Sequence, residues 1–156
     1  MTPSLSIVAP GDRERFLPLL LLADESEQQV RSYIDKGDLY VYSTGAAAAA
    51  GLILAIPLDS DVVELKAVAV EPSLQGQGVG KRMLADVLAR LRARGCMQVI
   101  VGTANAAIGQ LAYYQKAGFR LLRIERDFFT PGRGYPEVMV DKGIRLRDMV
   151  WMDIVF

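Results

Sequence analysis

Three glycines at alternate positions, Gly76, Gly78 and Gly80, stand between a predicted strand, Val62–Val70, and an amphipathic helix. Glycine removes the side chain where a backbone must approach a ligand closely. The first turn of a helix has free N–H groups and a partial positive charge, so it binds anions well. Lys81 adds a full positive charge at the same place. The segment therefore predicts a site for a ligand that contains phosphate.

The spacing of these glycines excludes two common phosphate loops. A Walker loop needs a glycine five residues before its Gly-Lys pair and a Ser or Thr after it, but Gln75 and Arg82 occupy those places. A dinucleotide fingerprint needs G-x-G-x-x-G, whereas this chain has G-x-G-x-G in mid-chain. A plain turn before a core helix is the alternative interpretation.

Candidate acids and bases are few. The chain has no histidine and one cysteine, Cys96, which excludes Ser–His and Cys–His catalysis and thiolate zinc sites. We therefore expect no metal, and an acid or base must be Glu, Asp, Tyr, Lys, the cysteine or an ordered water. Cys96 precedes an apolar run, so we expect a buried thiol at the start of a strand rather than a nucleophile.

Two segments together resemble the GNAT N-acetyltransferase superfamily. Gln75, Gly78 and Gly80 fit the pattern Q/R-x-x-G-x-G/A, which is the pyrophosphate loop of that superfamily. The second segment, Asn105–Phe119, resembles the next GNAT element, an Asn before a helix that ends in Tyr-x-Lys-x-Gly-Phe. The interval from Asn105 to the tyrosine is about two residues longer than in common members.

The resemblance implies that acetyl-CoA is the cosubstrate. In GNAT proteins a central strand splays and its freed backbone groups pair with pantetheine; a plain core strand is the alternative interpretation here. The residues then implied in binding acetyl-CoA are Val68, Ala69, Val70, Gln75, Gly76, Gln77, Gly78, Val79, Gly80, Lys81, Asn105, Tyr113 and Lys116.

The resemblance also implies catalytic roles for Glu64 and Tyr114. Glu64 matches the catalytic glutamate of the histone-acetylating branch, and an apolar strand would raise its pKa and suit it as a general base. The alternative is a glutamate at the edge of the sheet that pairs with Lys66, two residues on along the same face. Tyr114 is the candidate general acid for the CoA thiolate, because a phenol and a thiolate have similar basicity. Tyr113 is the competing assignment, and aromatic packing is the alternative for both.

Two segments of the sequence bear on the acceptor of the acetyl group. Asp24, Glu25 and Glu27 lie between the first two predicted helices, so they would attract a cationic amine or simply form a capped, solvated helix start. A long connection at 127–137 precedes the last strand, and we expect it to cover the acceptor pocket. The acceptor is therefore predicted to be a primary amine of a small molecule or a peptide.

Composition bounds the class of protein. The 156 residues predict a single domain, 1–156, and 18 basic residues against 18 acidic ones argue against nucleic-acid binding. Hydrophobic residues make up 51% of the chain, but no apolar run reaches the length of a membrane span, and we find no pattern of a signal peptide. With one cysteine and no internal disulfide, we expect a cytoplasmic protein.

The order of predicted elements is β-α-α-β-β-β-α-β-α-β-β, the GNAT order. We expect an α/β (α+β) fold with a mixed, mostly antiparallel sheet of about seven strands and helices on both faces. The predicted strands are 5–9, 38–43, 46–57, 62–70, 97–102, 119–129 and 145–156, and the predicted helices are 11–23, 24–36, 78–94 and 108–117.

These patterns predict an N-acetyltransferase that transfers the acetyl group directly in a ternary complex. The alternatives are a GNAT module that binds acetyl-CoA without catalysis, as a sensor or regulator, and a different phosphate-binding protein. The last strand is apolar on both faces, with Trp151, Ile154 and Phe156. We therefore expect a homodimer with this strand and the 131–136 loop at its interface, unless the strand lies between neighbours in the core.

Overall fold

The computed structural model describes residues 2–156. Nine strands and four helices follow one another in the predicted order, with one extra short hairpin. The strands are β1 Ser4–Val8, β2 Asp38–Ser43, β3 Gly51–Pro57, β4 Val62–Val70, β5 Gln98–Ala104, β6 Arg120–Glu125, β7 Val140–Asp141, β8 Ile144–Arg145 and β9 Met149–Val155. The helices are α1 Leu17–Ala23, α2 Glu27–Tyr33, α3 Val79–Ala93 and α4 Ile108–Lys116.

Seven strands form one sheet in the order β1-β2-β3-β4-β5-β9-β6. Only β4 and β5 run parallel; the other neighbours are antiparallel. This arrangement confirms the predicted mixed, mostly antiparallel sheet of about seven strands.

Each face of the sheet carries its own core because side chains alternate along every strand. On β2, Tyr40 and Tyr42 pack under α3 and α4, whereas Leu39 and Val41 pack under α1 and α2. Helix α3 presents one continuous buried face, formed by Val79, Met83, Leu84, Val87, Leu88 and Leu91. This is the 3.6-residue period that its sequence predicts.

The helix predicted for 11–23 is shorter than expected. Two 3-10 turns, Pro10–Asp12 and Glu14–Phe16, precede α1. Pro18 sits in the first turn of α1, where its missing N–H costs nothing.

Between the two turns lies Arg13, which is only 1% exposed. Its guanidinium donates to the carbonyls of Val8 at 3.0 Å, Ile34 at 3.1 Å, Lys36 at 2.6 Å and Gly37 at 2.8 Å. Every nitrogen of the guanidinium is thus hydrogen-bonded, and the group fixes the end of α2 against β1.

Two strand predictions need correction. The 46–50 segment is a turn rather than part of β3, because Thr44 N donates to Ala47 O and closes the chain there. The last strand is β9 alone, and the 145–156 prediction included part of the β7–β8 hairpin.

The last strand does not lie at the edge of the sheet. Strand β9 pairs with β5 on one side and β6 on the other, and Trp151 is 8% exposed. The apolar character of β9 is therefore core packing, and the argument for a dimer through this strand is wrong. The edge strand on this side of the sheet is β6, where Leu121 and Ile124 are 64% and 63% exposed.

No helix within residues 2–156 combines the length and the apolar character that a membrane crossing requires.

Candidate active site

The parallel pair β4–β5 separates in the middle of the sheet. The strands pair only from Val62 to Leu65 on β4 and from Gln98 to Val101 on β5. Beyond this point β4 pairs only with β3, and β5 pairs only with β9. A bulge at Lys66 marks the place where the register of β4 against β3 shifts. The predicted splay is therefore present, and it leaves one side of 66–70 open.

One cavity of about 500 Å³ opens at this splay, between α3 and α4. It is lined by Leu22, Val68, Ala69, Val70, Gln75, Gly76, Gly78, Gly80, Lys81, Gly109, Gln110, Tyr113 and Tyr114. We call it the donor cavity, because the sequence analysis predicts that most of these residues bind the acetyl donor. Its mouth is the glycine turn and the first turn of α3, where unpaired N–H groups meet the charge of Lys81.

The glycine turn has the conformation that its sequence predicts. Gly76 and Gly78 have φ angles of 78° and 79°, which side-chain-bearing residues rarely adopt. A Cβ atom on Gly80 would lie 3.3 Å from Val70 Cγ2 and 3.4 Å from the Tyr113 hydroxyl. Gln75 closes the turn by donating from Nε2 to Val70 O at 3.2 Å. The glycines thus keep this wall of the cavity free of side chains.

Nine of the thirteen residues predicted to bind the cosubstrate line the donor cavity, and four do not: Gln77, Val79, Asn105 and Lys116. Val79 is 3% exposed and packs in the core beneath α3. Gln77 and Lys116 are exposed to solvent.

Asn105 holds a loop in place instead. Its Oδ1 accepts from Arg147 N at 2.9 Å and Asp148 N at 3.1 Å, and its Nδ2 donates to Arg145 O at 3.0 Å. These bonds join the segment before α4 to the chain that leads into β9.

The two adjacent tyrosines have different surroundings. Tyr113 donates from its hydroxyl to Gly80 O at 2.7 Å, so it joins α4 to α3. Tyr114 is 5% exposed and packs edge-on against Phe119, with its ring centroid 5.7 Å away. Its hydroxyl makes no hydrogen bond within residues 2–156, and the residue lines the donor cavity. Burial raises the pKa of Tyr114 above that of an ordinary phenol, so its proton stays on at neutral pH.

A second cavity, of about 300 Å³, lies at the same splay. We call it the acceptor cavity, because the sequence analysis predicts that the acceptor lies under the 127–137 loop. The polar and aromatic part of its wall consists of Asp24, Glu25, Gln29, Glu64, Lys66, Thr103, Gln110, Phe128, Phe129, Tyr135 and Asp141. The predicted loop 127–137 thus covers this cavity through its three aromatic residues. Glu27 is outside it and pairs with Arg31 at 3.0 Å.

Glu64 faces this acceptor cavity from β4. Its side chain is 15% exposed, and Oε2 is 3.9 Å from Lys66 Nζ, the limit of an ion pair. Burial raises the pKa of Glu64 above its usual range, and the charge of Lys66 partly opposes the shift. Glu64 therefore pairs with Lys66, as the alternative interpretation expects, and also lines the cavity, and its role as a base stays a prediction.

A carboxylate shared by two phenols closes the acceptor cavity. Asp24 accepts from the Tyr33 hydroxyl at 3.1 Å through Oδ2 and from the Tyr135 hydroxyl at 3.2 Å through Oδ1. Tyr135 belongs to the 127–137 loop, and Gln29 Nε2 also donates to Arg133 O in that loop. We call the Asp24–Tyr135 bond the clasp, because it joins the α1–α2 connection to the loop.

Among the described residues, only Leu22 and Gln110 line both cavities. They therefore border the opening between the two. The sequence analysis missed both residues. For Gln110 a signal was available, because its spacing from Tyr113 and Tyr114 puts all three residues on one side of α4. Within residues 2–156, no group of three or more Asp, Glu, His or Cys side chains is arranged to hold a metal ion.

Comparison with known proteins agrees with this geometry. A model of the Acetyltransferase (GNAT) family matches residues 12–119. The uncharacterized N-acetyltransferase YvbK of Bacillus subtilis is 39% identical over 132 residues, covering 85% of this chain and 83% of that protein.

Two solved structures superpose over 99% of this chain and 99% of their own. A GNAT family acetyltransferase of Elizabethkingia anophelis with acetyl-CoA bound has a TM-score of 0.89 at 31% identity. An acetyltransferase of Bacillus subtilis in complex with CoA has a TM-score of 0.88 at 33% identity.

Proposed function

The chain belongs to the GNAT family of acyl-CoA N-acetyltransferases, and from this premise we propose that it moves the acetyl group of acetyl-CoA directly to a primary amine. The amine belongs to a small molecule or a peptide. The observation that carries this proposal is the meeting of two cavities at the β4–β5 splay, one with a phosphate-binding mouth and one with carboxylates. A donor and an acceptor bound in these cavities would meet without a covalent enzyme intermediate.

The donor cavity suits acetyl-CoA, which supplies the activated acetyl group when bound. The glycine turn offers unpaired N–H groups and Lys81 a positive charge to a pyrophosphate. The open side of 66–70 offers backbone groups to an extended, amide-containing chain, as an added strand would use them. Two structural relatives contain acetyl-CoA or CoA.

We assign the proton steps to Glu64 and Tyr114. Glu64 has the raised pKa and the position on the acceptor cavity that a general base needs to take a proton from the amine. Tyr114 is protonated and lines the donor cavity, so it can give a proton to the departing thiolate. The C–N bond forms, the C–S bond breaks, and the products are an N-acetylated amine and CoA with its thiol restored. Tyr113 is committed to Gly80, which favours Tyr114 for this role.

The oligomeric state is a further part of the proposal. We propose a homodimer through the edge strand β6, because Leu121 and Ile124 are exposed there beside an unpaired backbone edge. Light scattering of the Leu121→Lys/Ile124→Lys variant should give half the mass of the parent protein, and a monomeric parent would contradict the dimer. The cytoplasmic location stays a prediction from the single cysteine.

An amine panel tests the function. Purified protein is given acetyl-CoA and diamines, amino sugars, amino acids and peptides with free N-termini, and release of CoA thiol is followed beside mass spectrometry of the amine. We expect acetylation of at least one amine, with Glu64→Gln and Tyr114→Phe both impaired. Binding of acetyl-CoA without transfer to any amine would favour the non-catalytic module.

A further inference from the structure

We propose that Gln110 donates a hydrogen bond from its side-chain amide to the oxygen of the acetyl group during transfer. This role rests on the proposed function, because it concerns the reacting group of the donor. Gln110 lies in the first turn of α4. Of the two described residues that line both cavities, it is the polar one. During transfer the acetyl carbon must pass the border between the two cavities. A polar side chain at that border can therefore contact the reacting group.

The orientation of the amide is fixed by a neighbour. Thr103 is 4% exposed, and its hydroxyl donates to Gln110 Oε1 at 2.7 Å. With Oε1 held in this way, the other end of the amide, Nε2, carries the N–H groups. Nε2 makes no hydrogen bond to any residue within 2–156, so both of its donors are free for a ligand at the opening.

The chemistry of transfer requires such a donor. When the amine nitrogen attacks the acetyl carbon, the C=O electrons move onto oxygen, which becomes negatively charged until the C–S bond breaks. A donor that is already oriented stabilises this charge more than it stabilises the neutral thioester, so it accelerates the reaction. Glu64, Asp24 and Glu25 line the acceptor cavity, and an N–H donor at its border offsets the effect of these carboxylates on an oxyanion.

The position of Asn105 strengthens the assignment. The sequence analysis predicts that Asn105 binds acetyl-CoA, but both ends of its side-chain amide bond to the backbone of Arg145, Arg147 and Asp148. Gln110 is the amide side chain that reaches the donor cavity from α4. The segment 105–110 therefore carries two amides, one bonded to the backbone of a loop and one at the border of the two cavities.

Gln110→Met tests the proposal, because it keeps the length of the side chain and removes the donor. We expect kcat to fall by roughly 10²- to 10³-fold with KM for the amine nearly unchanged. Gln115→Met is the matched control: it is exposed on the same helix, bonded to Leu111 O, and outside both cavities, and its kcat should stay at the parent value.

Binding supplies a readout that does not depend on turnover. Calorimetry with acetyl-CoA and with CoA should show that Gln110→Met weakens acetyl-CoA about fivefold and leaves CoA unchanged, since only acetyl-CoA has the acetyl oxygen. An equal loss for both ligands, or none for either, would overturn the proposal. If the parent protein acetylates no amine, the proposed function fails. The dissociation constants of acetyl-CoA and CoA still show whether Gln110 contacts the acetyl oxygen.

Substitutions of Thr103 test the hydrogen bond that positions the Gln110 side chain. Thr103→Val should lower kcat by about tenfold while Thr103→Ser, which keeps the hydroxyl, restores it. Thr103 acts here as a positioning residue, and a melting temperature measured for each variant separates loss of position from loss of fold. Equal activity of the Val and Ser variants would contradict the positioning role.

Discussion

The hydroxyl of Tyr113 donates a hydrogen bond of 2.7 Å to the backbone carbonyl of Gly80. This bond joins the middle of α4 to the first turn of α3, on the wall of the donor cavity. It gives the two adjacent tyrosines separate tasks: Tyr113 maintains the shape of the cavity, and the free hydroxyl of Tyr114 is left for chemistry.

Phenylalanine substitutions should separate these tasks. Tyr114→Phe should lower kcat by roughly 10- to 10³-fold and leave the dissociation constant of acetyl-CoA nearly unchanged, as expected for loss of an acid catalyst. Tyr113→Phe should weaken acetyl-CoA several-fold and lower kcat less, because it loosens the cavity wall. Steady-state kinetics and calorimetry on both variants make the comparison. The reverse pattern would assign the acid to Tyr113.

The charge of Lys81 should matter for acetyl-CoA, and the charge of Lys116 should not. Lys81 lines the donor cavity, whereas Lys116, at the end of α4, does not. Lys81→Glu should weaken acetyl-CoA by roughly 10- to 100-fold by placing a negative charge beside the pyrophosphate, while the same change at Lys116 should cost less than about twofold. The shift in melting temperature on adding acetyl-CoA, with ATP as a control ligand, reports both. Equal losses would show only a general effect of net charge.

The sequence predicted local structure better than contacts between distant segments. The bounds of β4 and the glycine turn were confirmed, because alternation and positive-φ glycines are properties of neighbouring residues. The insertion of β9 between β5 and β6 depends on pairing across many residues, which an apolar pattern cannot distinguish from an exposed edge.

The same limit applies to the site. Gly76 and Gly78 have the conformations their residue type suggests, but the loop contacts of Asn105 involve Arg145 to Asp148, 40 or more residues away. Gln110 was missed because its spacing from Tyr113 and Tyr114 puts it on their side of α4 but does not show what that side of the helix meets. Only the packing of α4 beside the splay brings it to both cavities.

The pH dependence of turnover should respond to Lys66. Its ammonium lies 3.9 Å from Glu64 and favours the ionised carboxylate, which opposes the rise in the Glu64 pKa caused by burial. Lys66→Met removes that charge, so the pKa of Glu64 should rise further and the acidic limb of kcat/KM should move to higher pH. Lys66→Arg keeps the charge and should keep the limb in place. Glu64→Gln should abolish the limb, and a profile of unchanged shape would show that another group takes the proton.

The clasp between Asp24 and Tyr135 should govern binding of the amine rather than the chemistry. Tyr135→Phe removes the bond that holds the 127–137 loop against the α1–α2 connection, so the cavity must be ordered again each time an amine binds. We expect KM for the amine to rise by about tenfold with kcat and KM for acetyl-CoA nearly unchanged.

Tyr33→Phe is the matched control, since it removes the other phenol bonded to Asp24 but lies in the core at 3% exposure. It should lower the free energy of unfolding by about 1–2 kcal/mol with a smaller change in amine KM. Steady-state kinetics with both substrates varied, together with urea denaturation, measures these quantities. An equal rise in amine KM for both variants would mean that the charge of Asp24 itself, rather than closure of the loop, determines amine binding.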